Sequence, residues 1–147
     1  MMSDYSHLAG HRFPGGRFTL SPHLAWLWAD CAMASPDADL AHPSLAYYSA
    51  MRGCGISIQE LFDLVDADAD SGAMFGECVI DFHGVLTPGD VYQIEARIVD
   101  VERKHGRRAG TFDKLTFELT GRRDADAEPL FRVTNTFIFP RREEAAA

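Results

Sequence analysis

Met74-Phe75-Gly76-Glu77-Cys78-Val79-Ile80-Asp81-Phe82, then Leu86-Thr87-Pro88-Gly89-Asp90 leading into Val91-Tyr92-Gln93-Ile94-Glu95-Ala96-Arg97-Ile98, is the stretch whose reading decides the fold. Met74, Cys78, Ile80 and Phe82 fall on one wholly apolar face at a period of two, and Phe75, Glu77, Val79 and Asp81 make a mixed face. That is strand patterning. Pro88-Gly89-Asp90 supplies turn chemistry, and Tyr92, Ile94, Ala96 and Ile98 resume the alternation after it. Leu115, Phe117 and Leu119 repeat the pattern, as do Phe131, Val133, Phe137 and Phe139. Four consecutive strands are expected, at roughly 74–83, 91–103, 111–120 and 130–140. The apolar phase changes near Ile98 and Val99, which predicts a bulge that bends the second strand. His105-Gly106 and the polar stretch 121–128 connect the rest.

Upstream, the text turns helical. A short strand over 17–20 precedes Ser21-Pro22, an N-cap with proline at the first helical position. Leu24, Leu27, Trp28 and Cys31 then share a face at helical spacing, and Ser35-Pro36 must end the element, because the residue before proline is pushed out of the helical region. Residues 37–42 read as a polar loop. A second helical region spans 43–65, with Ala46, Tyr47 and Met51 on one face, Gly53 and Gly55 loosening its middle, and Ser57-Ile58-Gln59-Glu60 restarting it as a capping box. Ile58, Leu61, Phe62 and Val65 continue the stripe, and 66–71 is an acidic, solvated loop. The expectation is an α+β fold in which an antiparallel sheet lies on one broken helix.

The 147 residues suit one domain, 1–147, with 1–16 and 141–147 expected to be loose. A composition of 46% hydrophobic and 24% charged residues is that of a globular protein with a real core. The net charge of -8 opposes nucleic-acid binding, which rests on neutralising phosphates. No run is long and apolar enough for a membrane span, and the start shows no basic segment leading into an apolar one, so the cytoplasm is the expected location. Cys31, Cys54 and Cys78 are odd in number and widely spaced, which points to reduced, buried thiols. No spacing of His and Cys suggests a metal.

The order of elements, with the segment Phe82-His83-Gly84-Val85-Leu86-Thr87-Pro88-Gly89-Asp90, the run Ile98-Val99-Asp100-Val101-Glu102-Arg103-Lys104, Arg108-Ala109-Gly110 and the ending Thr134-Asn135-Thr136-Phe137, resembles the MaoC-like hydratases and dehydratases. The resemblance covers about 17–141 and is strongest to the N-terminal, dehydratase-like branch of that family. It implies a single hotdog fold, a sheet curled around a central helix. It also implies an acyl thioester bound at a dimer interface and reversible addition of water across a 2-enoyl thioester. Coenzyme A or carrier-protein pantetheine is then part of the substrate, and no separate cofactor is needed. The partner would be a second copy or another hotdog chain, since one sheet on one helix leaves an edge and an apolar face to hide.

Such chemistry needs backbone donors for the thioester carbonyl and an acid/base pair near the reacting carbons. In this family an Asp and a His in a D-x-N-P-x-H loop form the pair. Asp37-Ala38-Asp39-Leu40-Ala41-His42 keeps the Asp-to-His spacing and loses the Asn and Pro. Asp37 and His42 are therefore the candidate catalytic pair. An alternative alignment places Ala41-His42-Pro43-Ser44 at the start of the central helix, where non-catalytic relatives carry an apolar-proline-threonine run. The chain would then be an acyl-binding subunit completing a catalytic partner's site. Gly55 and Ile56 are candidate backbone donors, Tyr47 a pocket residue, and Arg103, Lys104 and Arg107 candidate contacts for coenzyme A phosphates or an acidic carrier. A thioesterase reading would rest on Glu60. Each has a plainer alternative: a helix-start histidine, a solvated carboxylate, a glycine relieving crowding, a soluble hairpin tip, a core aromatic.

Overall fold

Ser21 and Pro22 open the first helix as their chemistry requires: the Ser21 side chain accepts from the Leu24 N–H at 3.1 Å, and Pro22 stands at the first helical position. The computed structural model describes residues 3–142, in the order β1 (Gly16–Thr19), α1 (Pro22–Cys31), α2 (Leu45–Gly53), α3 (Ile58–Asp63), β2 (Met74–Phe82), β3 (Val91–Gly106), β4 (Gly110–Arg123) and β5 (Phe131–Arg141). The strands form one antiparallel sheet in the order β1-β3-β4-β5-β2, with the long β3–β4 hairpin near its middle. The expected bulge lies where the β3–β4 register shifts between Ile98 and Asp100. Inward-facing residues accordingly run Tyr92, Ile94, Ala96, Ile98 before it and Val101 after it.

The buried face of the sheet receives α2. Leu45, Ala46, Ser49, Ala50 and Gly53 of the helix are shut away, against Leu115, Phe117 and Leu119 of β4 and Phe131, Val133 and Phe137 of β5 in one core cluster. Gly53 permits the closest approach, because a Cβ there would stand 2.5 Å from Ile94 Cγ1 and 3.2 Å from Phe18 Cβ. The capping box forms as its sequence predicts: Ser57 Oγ accepts from Glu60 N–H, and the Glu60 carboxylate accepts from Ser57 N–H. The helix is broken there, as Gly53 and Gly55 foretold.

Two expectations need correction, and both ends of the described chain make contacts of their own. Helix α1 buries Ala25 and Ala29 and leaves Leu27 and Cys31 exposed, so its inward face is rotated from the apolar stripe toward small residues that allow close approach. Of the three free cysteines only Cys54 is buried. The stretch before β1 is held down: Leu8 is buried, Gly10 N–H and Phe13 N–H donate to the Ile98 and Ala96 carbonyls, and Ile98 N–H donates to the His11 carbonyl. Arg141 ends β5 in an ion pair with the buried Asp113, and residues 143–147 of the tail lie outside the described residues. No helix among the described residues is long and apolar enough to cross a membrane.

Candidate functional site

The Pro88-Gly89-Asp90 turn is the floor of the site. Asp90 N–H donates to the Thr87 carbonyl at 3.2 Å and Gly89 has φ +93°, so proline and glycine occupy the two central positions of a turn that needs a left-handed residue second. The rest of the motif works as a clasp. Asp90 accepts from Arg123 Nε at 2.6 Å, the same guanidinium donates to the Val85 carbonyl at 2.6 Å, and the Tyr92 hydroxyl accepts from Thr87 N–H. The Asp90 hydrogen bond raises Arg123 above the ordinary guanidinium value, and burial does the same to the Tyr92 phenol.

On this floor sits the segment between α1 and α2, docked by Ala41 N–H on the carbonyl of the buried Leu86. Asp37 and His42 both lie on it, and each is committed locally. Asp37 Oδ1 accepts from the Asp39 and Leu40 N–H groups at 2.7 and 3.1 Å, a turn closed by its own side chain. The residue is exposed and borders an open groove of about 360 Å³ with Pro22, Trp26, Pro36, Ala38 and Pro88. His42 does not border that groove. Its Nδ1 lies 2.7 Å from Ser44 Oγ, which in turn accepts from Trp28 Nε1–H at 2.7 Å. From sequence Trp28 reads only as an apolar wall, and nothing there gives Ser44 a role. The signal available was a serine at a helix start, which is normally spent on capping.

The other candidates stand elsewhere. Gly55 and Ile56 follow the C-terminal end of α2, about 13 Å of helix away from His42 at ~1.5 Å rise per residue. They line a separate groove with Met51, Arg52 and Glu60. Glu60, on α3, is occupied as the capping partner of Ser57. Tyr47 is half-buried on α2 beside β2: its ring meets Phe75 edge-on at 6.3 Å, and burial, then the neighbouring Cys78, keeps its phenol above the ordinary value. Its hydroxyl is thus a neutral donor next to the sheet edge.

Arg103, Lys104 and Arg107 belong to the far end of the β3–β4 hairpin, opposite the Pro88-Gly89-Asp90 floor. Along β3, Tyr92 and Arg103 are separated by about 35 Å at ~3.3 Å per residue. Arg103 is moreover engaged. Its Nε and one terminal nitrogen donate to Asp113 at 2.8 and 2.9 Å, and that terminal nitrogen also donates to the Ser3 carbonyl. Lys104 pairs loosely with Glu102 at 3.5 Å, and Arg107 is exposed. Among the described residues no group of three His, Cys, Asp or Glu side chains is arranged to hold a metal ion.

Strand β2 is, with the short β1, one of the sheet's two edges. Hydrogen-bonded to β5 on one side only, it leaves Met74, Phe75, Val79 and Phe82 exposed.

Comparison with solved structures places this architecture. The chain is similar to the ChsH1–ChsH2 complex from Mycobacterium tuberculosis, with 15% identity over 95% of this chain and 89% of that one and a TM-score of 0.67. It is also similar to the C-terminally truncated HadBC (3R-hydroxyacyl-ACP dehydratase) complex from the same organism, at 18% identity, 94% and 99% coverage and a TM-score of 0.64. The fluoroacetyl-CoA thioesterase FlK matches at 13% identity, 90% and 87% coverage and a TM-score of 0.59. The fold is the hotdog. No family model matches the sequence, and no curated protein matches it. Within the hotdog, α2 is the central helix; Asp37 borders one groove, Gly55 and Ile56 line another, His42 and Tyr47 line neither, and Arg103, Lys104 and Arg107 sit at the far hairpin.

Proposed function

We propose that the chain is an acyl-thioester-binding subunit of a MaoC-like hydratase/dehydratase, which adds water reversibly across a 2-enoyl thioester in an assembly of two hotdog chains. The observation that carries this reading is the local commitment of Asp37 and His42. The carboxylate closes its own turn and the imidazole is tied to Ser44, so the acid/base pair comes from the partner. The apolar β2 edge beside Tyr47 is the surface on which that partner pairs, and Tyr47 and Phe75 form part of the wall against which the acyl chain lies. Antiparallel pairing of two β2 edges also brings the partner's hairpin end toward this chain's Asp37–His42 end. Basic hairpin residues of the Arg107 type would then approach a thioester from across the interface, which their distance within one chain forbids.

The test is hydration of crotonyl-CoA by the isolated chain, by the chain with a hotdog partner recovered by pull-down, and by His42→Ala. Inactivity alone and activity with the partner are expected. A second reading, catalysis by Asp37 and His42 themselves, is favoured by their retained spacing on one segment above the Pro88-Gly89-Asp90 floor. Hydration by the isolated chain that disappears in both Asp37→Asn and His42→Ala would establish it. Release of free thiol from acyl-CoA, lost in Glu60→Gln, would instead point to a thioesterase.

A further inference from the structure

Ser44 occupies the N-cap position of α2, yet its hydroxyl caps no helix amide. It is spent between two side chains. Trp28 Nε1–H, which can only donate, reaches Ser44 Oγ at 2.7 Å, and Ser44 Oγ stands 2.7 Å from His42 Nδ1. The backbone N–H of Ser44 is aimed at the same nitrogen at 3.3 Å. An amide hydrogen directed at Nδ1 requires a lone pair there. With Trp28 already filling one acceptor site of the serine oxygen, the hydroxyl hydrogen also goes to Nδ1. Both neighbours therefore donate to this nitrogen, and the neutral ring carries its hydrogen on Nε2.

We infer that Trp28 and Ser44 hold His42 in the Nε2–H tautomer, so that it acts as a fixed hydrogen-bond donor to the carbonyl oxygen of an acyl thioester and not as a base. A ring nitrogen that already bears hydrogen has no lone pair with which to accept a proton. The start of α2 has need of such a donor. Its first amides are taken: Leu45, Ala46 and Tyr47 N–H donate to the carbonyls of His42, Pro43 and Ser44 at 3.0, 3.0 and 3.2 Å. The Nε2–H of His42 takes over the polarising role that a helix start otherwise fills with backbone donors. The identity of the ligand rests on the acyl-thioester reading, whereas the tautomer does not. Ser44 and Trp28 are positioning residues, acting only through His42.

Two measurements separate these layers. Long-range proton–nitrogen correlation on protein labelled at histidine nitrogens, at about pH 8.5 where an ordinary imidazole is neutral, reads the tautomer, with His42→Gln identifying the signals. A hydrogen-free Nδ1 is expected in the wild type, a mixture of tautomers in Ser44→Ala, and the wild-type pattern again in Ser44→Thr. A protonated Nδ1 in the wild type would overturn the inference. The second measurement is the infrared carbonyl stretch of butyryl-CoA carrying carbon-13 at the thioester. A shift to lower frequency is expected on binding to the wild type, no shift in His42→Phe, and a partial one in His42→Gln, whose amide can still donate. Bound ligand with an unshifted carbonyl in the wild type overturns the donor role and leaves the acyl-thioester reading intact. Failure of butyryl-CoA to bind overturns both, while the nitrogen spectrum still decides the tautomer.

Discussion

In β4, Leu115, Phe117 and Leu119 are shut off from solvent, whereas in β2 Met74, Phe75, Val79 and Phe82 remain 53, 50, 43 and 43% exposed, although both strands alternate apolar residues. Position in the sheet makes the difference. Strand β4 has a hydrogen-bonded neighbour on each side and α2 on its inner face, while β2 pairs with β5 alone. The apolar residues of β4 thus stabilise the monomer, whereas those of β2 stay open to solvent, where the proposed partner would cover them.

The largest effect should come from the interior strand: Phe117→Ala empties a site in the core and is expected to cost about 3–5 kcal/mol in urea unfolding, with no change in oligomeric state if the chain still folds. Next is Asp113→Ala at the closed end of β4. It leaves the Arg103 and Arg141 guanidinium groups facing each other without their shared carboxylate, a loss of about 3 kcal/mol typical of breaking a buried pair. Val79→Lys on β2 should behave in the opposite way, shifting unfolding by less than about 0.5 kcal/mol while abolishing association in light scattering. An association unchanged by the lysine would break the comparison. The smallest effect is at Cys78: the residue is exposed on β2, yet partial desolvation of its thiol pushes it above the ordinary value. Less of it is thiolate at mildly alkaline pH, so iodoacetamide should modify it more slowly than Cys31, which is likewise exposed, and more slowly still once a partner covers β2.

Most of the scaffold was legible because it is written locally. The Ser21-Pro22 start, the Ser57–Glu60 box, the Pro88-Gly89 turn and the phase change at Ile98 each fix backbone geometry within a few residues. Burial in β2 was not legible, since alternation records which side chains share a face and not whether anything lies against it. The same limit hid Asp113, which reads as one polar residue in an alternating run and becomes a buried anchor only through arginines on two other strands. At the site, the spacing of Asp37 and His42 was visible in the chain, but the Trp28–Ser44–His42 contact joins residues 16 apart and depends on how α1 docks. Arg103 shows the same limit from the other side. Its acceptors, Asp113 across the hairpin and the Ser3 carbonyl 100 residues upstream, become its neighbours only once the chain is folded, so its engagement could not be read from the basic cluster alone.

The contacts of the first residues also set an order of assembly. Ser3 is held by Arg103, 100 residues later, and Tyr5 donates to Asp66, 61 residues later, beneath the Arg141 guanidinium that lies 5.0 Å from its ring. Contacts of such long range close late in folding. The segment around Ser3 and Tyr5 therefore closes onto partners far along the chain, and a fusion partner joined upstream of Ser3 would burden that late step.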